Sequence, residues 1–407
     1  MDSQRQRSFS LGPGLLVTAA FVGPGTIATA SSAGAHFGYS LAWALLFSVA
    51  ATIILQEMSV RQAIVTQNGL AATMREALGS NIFGRAVLLL VVAAVGVGNA
   101  AYESGNIAGA ALAISQLTEG KQALWAILIG LLAGCFLFAP AYRQLEVALI
   151  ALVLLMSSVF LVSAFVLGVD LPALAKGFTS PKLSTSSATT VVALIGTTVV
   201  PYNLFLQANA ARDRWQLEAD RGLALRAARI DTFASIGLGG LVTLAIISSA
   251  AVSFFAQQVP FTGDSFSRQL DPLLGEAGRY FFALGLFAAG LTSAVTAPLA
   301  AAYAVCGALG WNEQMQSAAF RGVALCVLVT GVVFAVLGTR PLTLILFAQA
   351  ANGLMLPVVA LTLLWLMNQK RFLGDAANRP TSNLLGFVVV LISLSIGLNK
   401  LWAALMS

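Results

Sequence analysis

The sequence predicts an all-α polytopic membrane protein of eleven spanning helices, and three observations carry that expectation. Of its 407 residues, 58% are hydrophobic and only 9% charged, against about 25% charged in an ordinary soluble domain. The apolar residues fall into long runs separated by short clusters of Gly, Pro and charge, and about 20 apolar residues cross a bilayer core. With eleven runs and a cytoplasmic N-terminus, 15 of the 22 Lys and Arg residues fall in cytoplasmic segments, as the positive-inside rule requires. The formal charge of +6 therefore reflects loop residues, and no nucleic-acid partner is expected.

The expected spans cover 11–36, 38–66, 85–116, 122–140, 145–168, 187–211, 230–256, 277–308, 318–338, 341–369 and 382–405. They form a single transmembrane domain over 1–407. The segment Met1–Ser10 has no separate apolar core or cleavage site, so the first span is expected to be retained rather than removed as a signal peptide. Between spans six and seven, Arg212–Arg229 mixes charges with Trp215, Leu217, Leu223 and Leu225, which reads as an amphipathic cytoplasmic helix or a solvated linker. Cys135, Cys306 and Cys326 sit in apolar runs without ligand spacing, so neither a disulfide framework nor a zinc site is indicated.

Two spans are expected to be broken. The first contains Gly23-Pro24-Gly25-Thr26 in mid-membrane, where two glycines around a proline remove a backbone donor and weaken the helix on both sides. The sixth contains Val200-Pro201-Tyr202-Asn203 at the corresponding depth, with Thr197 one turn earlier. Two interrupted spans five helices apart are the pattern of a transporter built from inverted five-helix repeats, here about 11–168 and 187–369, with 382–405 as an additional helix. Half-helix N-termini at such breaks present free N–H groups and half-helix C-termini free carbonyls, so the scaffold can hold an anion or a cation.

With those residues in view, the chain resembles the Nramp family of divalent-metal transporters. Leu11-Gly12-Pro13-Gly14-Leu15-Leu16-Val17-Thr18 and Gly34-Ala35-His36-Phe37-Gly38-Tyr39-Ser40 are similar to the family's first helix. Arg61, Ile64-Val65-Thr66 and Arg75-Glu76 are similar to the end of its second, and Gln349-Ala350-Ala351-Asn352-Gly353-Leu354-Met355-Leu356-Pro357 to its tenth. The resemblance implies a LeuT-like fold: two inverted repeats plus an eleventh helix, with helices 1 and 6 broken. It also marks departures. The family's Asp-Pro-Gly-Asn is here Gly23-Pro24-Gly25-Thr26, and its Met-Pro-His-Asn is Val200-Pro201-Tyr202-Asn203. A second helix-six histidine is replaced by Gln207, and a third-helix acid aligns with Asn106, leaving Glu103 as the nearest acid.

The substrate site expected from these motifs comprises Gly23, Pro24, Gly25, Thr26, Thr197, Val200, Pro201, Tyr202, Asn203 and Gln349. Glu103, Asn106 and Gln207 are candidates for coupling or gating, and Glu57 with Arg61 has the spacing of an i, i+4 ion pair. No catalytic residue, resident metal or cofactor is expected, and the absence of a nucleophile–base pair or phosphate loop argues against an enzyme. A dehydrated divalent cation needs carboxylate, imidazole or thiolate compensation, which this set lacks. A small inorganic anion is therefore the first expectation, bicarbonate foremost. The alternative is a largely hydrated divalent cation, Mg²⁺ or Mn²⁺, and the lesser one a non-transporting sensor. Proton coupling of the family's kind is expected to be absent, because Tyr202, Gln207 and Asn106 replace its titrating groups. The expected location is a bacterial inner membrane.

Overall fold

The structure, a computed structural model, describes residues 22–405 apart from 80, 119, 139–141, 217, 219, 264 and 339. Its regular elements are all helical. The described half of the first span is α1 (Pro24–Phe37); the expected stretch 11–21 lies outside the described residues. Then come α2 (Ala42–Thr66), the short α3 (Leu70–Leu78), α4 (Ile82–Ser115), α5 (Gln122–Leu137), α6 (Tyr142–Leu167) and the short α7 (Leu171–Thr179). The sixth span divides into α8 (Thr185–Thr198) and α9 (Pro201–Trp215), followed by α10 (Arg221–Ala250), α11 (Gly278–Leu309), α12 (Ala318–Leu337), α13 (Pro341–Leu366) and α14 (Pro380–Leu405).

Among the described residues, eight helical segments are long and apolar enough to cross a membrane, and Gln122–Leu137 and Pro380–Ser395 are shorter apolar helices. With α1 they occupy the eleven positions the sequence predicts. Large apolar side chains such as Phe165, Leu131 and Leu337 lie on the outside, where lipid rather than water is the solvent.

The interior is built on small residues, as membrane helix packing requires in the absence of a hydrophobic driving force between helices. The long α4 runs through the centre against α11, α12 and α13. Its Gly109 lies so close to Pro24 that a methyl group there would overlap the proline ring, and Gly290 of α11 packs equally tightly on Ala110. These contacts seat the start of α1 against the middle of α4.

The reading of 212–229 as a separate amphipathic helix is corrected. Arg212 and Arg214 belong to the last turn of α9, and Arg221, Arg226 and Arg229 to the first turns of α10. Asp220 ends the gap by accepting from the N–H groups of Gly222 and Leu223, a capping interaction that starts α10. Arginines at the end of α9 also complement its negative dipole end, so the charges belong to the ends of two spanning helices.

Candidate functional site

Proline sets the described start of α1 and the break within the sixth span. Gly23, in an extended conformation (φ −85°, ψ 177°), precedes α1, and Pro24 occupies its first position. The first backbone bond in α1 runs from the Ile27 N–H to Gly23 O at 3.1 Å. The Gly25 N–H thus falls among the donors that an α-helix leaves without intrahelical partners. In the sixth span, Val199 closes α8 through its N–H to Ile195 O, Val200 is extended, and Pro201 opens α9. Neither Gly23 before α1 nor Val200 before α9 supplies a side-chain cap.

The two breaks meet. Thr26 Oγ and Thr197 Oγ share a hydrogen bond of 2.9 Å across 171 residues of sequence. Thr52 Oγ donates to Thr198 O at 3.2 Å and satisfies one carbonyl at the end of α8. Gln349 of α13 reaches over the start of α1: a methyl at Gly25 would overlap its carboxamide. Gly196 lies against the backbone of Gln349 and Gly353, which fixes α8 on α13. Tyr202 stacks edge-on against Tyr102 of α4, with ring centroids 5.2 Å apart.

The amides stand out. Asn203 and Gln349 are 1% and 0% exposed, and both the oxygen and the nitrogen of each side chain lack a hydrogen-bond partner among the described residues. An unpaired buried amide is costly, so these four atoms are donors and acceptors held ready for something polar. The site is a set of neutral groups: two hydroxyls, two amides and the backbone at the helix ends. No cluster of three or more His, Cys, Asp or Glu side chains occurs among the described residues.

The remaining candidates face elsewhere. Glu103 is fully buried, accepts from Asn106 Nδ2 at 3.1 Å, and packs so tightly on Gly331 of α12 that a methyl there would overlap its stem. Gln207 turns to α10 and donates to Thr232 Oγ at 3.2 Å. The Glu57–Arg61 pair is present at 3.1 Å but is part of a larger cluster, because Arg229 also binds Glu57 at 2.8 Å. Sequence reasoning missed Tyr102, Gly105, Gly109 and Gly196. The signal was available: Gly105 and Gly109 form a G-x-x-x-G pair on an apolar helix, the mark of close helix approach. It also missed Asn99 and Asn352, both buried with unpaired amide atoms.

Comparison with known proteins gives this geometry a context. The family model described as "Natural resistance-associated macrophage protein-like", Nramp, matches residues 14–403. The chain belongs to the Nramp family. A relative from Ralstonia nicotianae, named divalent metal cation transporter MntH, is 31% identical over 405 residues, covering 94% of this chain and 88% of its own. One of the same name from Acidiphilium cryptum is 29% identical, covering 95% and 88%. The crystal structure of the Eremococcus coleocola manganese transporter superposes with a TM-score of 0.80 at 21% identity, covering 96% of this chain and 85% of that one. MhsT, solved with L-phenylalanine, superposes at 0.61 and 14% identity, covering 96% and 98%. These likenesses show the LeuT-like fold of this Nramp chain, and the protein is an integral membrane protein of a transporter family.

Proposed function

We propose that this Nramp protein carries a divalent metal cation by alternating access and holds it largely hydrated between α1, the α8–α9 break and α13. The observation that carries the reading is the set of unpaired, fully buried amides of Asn203 and Gln349 beside the Thr26–Thr197 hydroxyl pair. It sits in a chain whose relatives bear the name divalent metal cation transporter. Neutral oxygens suit a hard cation that dehydrates reluctantly and is bound through its waters. Without carboxylate, imidazole or thioether at the breaks, selectivity shifts from soft transition metals toward Mg²⁺ and Mn²⁺.

This departs from the anion expected from the motifs alone, because no named relative supports an anion. One observation keeps bicarbonate as a second reading: two helix N-termini, of α1 and α9, begin at the site without a side-chain cap from Gly23 or Val200, and helix N-termini bind anions. Proteoliposome uptake of Mg²⁺, Mn²⁺, bicarbonate and chloride separates the two. Saturable cation uptake lost in Asn203→Ala and Gln349→Ala supports the first reading, and bicarbonate uptake lost in the same variants supports the second. The positive-inside excess supports a cytoplasmic N-terminus in a bacterial inner membrane.

A further inference from the structure

A second polar site lies far from the breaks, at the end of the bundle that holds the loop between α13 and α14. Helices α10 and α14 both pack on α2, and between them opens a cleft of about 590 Å³ lined by Glu57, Arg61, Arg229, Phe233, Arg379 and Ser382, among others. Three arginines face two carboxylates there, Glu57 and Asp375. Arg61 is committed to structure: it donates to Glu57, to Ala376 O at 2.6 Å and to Asn378 Oδ1 at 2.8 Å. Arg229 binds Glu57 with one edge only, through Nε at 2.9 Å and Nη2 at 2.8 Å, and half of its side chain is exposed. Arg379 is exposed and has no hydrogen bond or ion pair from its side chain among the described residues. The charge of Glu57 is thus spent twice, and the cleft keeps a positive excess.

The vertical pattern of the cleft selects the occupant. One turn below Arg229 on the same face of α10 is Phe233, 55% exposed, and one turn below Ser382 on α14 is Leu385, 51% exposed, residues three or four apart sharing a helix face. A cationic, hydroxyl-bearing mouth with an exposed apolar side chain one turn below it on each helix matches a molecule with a charged head and hydrocarbon tail. Free phosphate fills only the mouth.

We propose that this cleft binds the headgroup of an anionic phospholipid, its phosphate between Arg229 and Arg379 and its acyl chains along the α10–α14 seam over Phe233 and Leu385. Because Arg61 ties α2 to the 376–378 loop at the floor of the same cleft, the lipid joins the α10 and α14 edges across that loop.

Native mass spectrometry of the full chain in detergent, with equimolar phosphatidylglycerol and phosphatidylcholine, tests this. A discrete phosphatidylglycerol adduct should dominate. Its preference over phosphatidylcholine should fall roughly fivefold in Arg229→Gln or Arg379→Gln and roughly 25-fold in the double variant, from the attraction of each basic residue to anionic lipid. Arg379→Lys should retain it. Arg379→Gln removes no internal contact, so its effect cannot be laid to misfolding. An unchanged preference in the double variant overturns the site, and full displacement of phosphatidylglycerol by millimolar inorganic phosphate overturns the lipid in favour of a phosphate site.

Discussion

Gly23→Asp places a carboxylate at the first break and separates the two substrates by sign. The backbone at Gly23 is extended (φ −85°, ψ 177°), a conformation aspartate adopts without strain. As the residue preceding Pro24, an aspartate there also occupies the N-cap of α1, beside the positive end of its dipole. For an ion one water away, at about 5 Å, an effective dielectric near 20 gives about 3.3 kcal/mol per unit charge and about 6.6 kcal/mol for a divalent cation. If about half survives the water and the cap, a divalent cation gains about 3 kcal/mol, roughly a hundredfold in affinity. A monovalent anion loses about 1.7 kcal/mol, or roughly 15-fold. The assay is calorimetric binding and proteoliposome uptake of Mg²⁺, Mn²⁺ and bicarbonate for wild type, Gly23→Asp and the neutral, nearly isosteric Gly23→Asn. Tighter Mg²⁺ or Mn²⁺ binding in Asp but not Asn supports the proposed function. Cation affinity unchanged in Asp, with bicarbonate uptake lost in Asp and kept in Asn, refutes it.

Three further outcomes follow from the geometry. Gly25→Ala drives a methyl into the Gln349 carboxamide, the flexible end of a side chain, so the protein should fold normally but lose at least tenfold in uptake rate; loss of folded yield on size exclusion contradicts this. Gly196→Ala meets the unyielding backbone of Gln349 and Gly353 and should cost about 1–3 kcal/mol, whereas Gly237→Ala in α10 has open space around it and should be neutral or stabilise by up to about 1 kcal/mol; thermal unfolding in detergent compares the pair. Burial raises the Glu313 carboxyl above its ordinary range although Arg212 and Arg75 pull it down, so the folded state holds this proton more tightly than the unfolded chain does. Its contribution is therefore greatest at low pH and declines as pH rises from about 4.5 through the raised value. Glu313→Gln should flatten that decline in melting temperature, and an unchanged slope excludes the assignment.

The breaks were legible because proline acts locally. Pro24 and Pro201 each take the first position of a helix, where a missing N–H costs nothing, and the flanking residues mark the positions without any tertiary information. The Thr26–Thr197 bond was not legible, since it joins residues that only the packing of α8 beside α1 brings together. Glu103 stood out as an acid in an apolar run, yet its direction was invisible. On α4 it lies two residues from Gly105, nearly opposite around the helix, so when Gly105 faces the Gln349 side, Glu103 faces α12. The misreading of 212–229 came from taking a charge cluster as an element, when Asp220 followed by Gly222 already carried the start signal of α10.

The sign of the pocket is set less by helix ends than the motifs suggest. At the sixth-span break the C-terminus of α8 and the N-terminus of α9 are separated by Val199 and Val200, so partial charges of about −0.5 and +0.5 face the same small volume and largely cancel. What remains is the N-terminus of α1. At about 6 Å and an effective dielectric of 20, half a unit charge opposes a divalent cation by about 2.8 kcal/mol. Hydrogen bonds or ligation involving a charged partner are each worth about 1.5–3 kcal/mol, so the two unpaired amides of Asn203 and Gln349 offset that opposition. They leave at most about 3 kcal/mol over, too little to strip an ion that dehydrates reluctantly of its water. On the proposed function, a site of this balance holds a cation that brings its hydration shell with it, which makes neutral residues at the breaks compatible with carriage of a divalent metal.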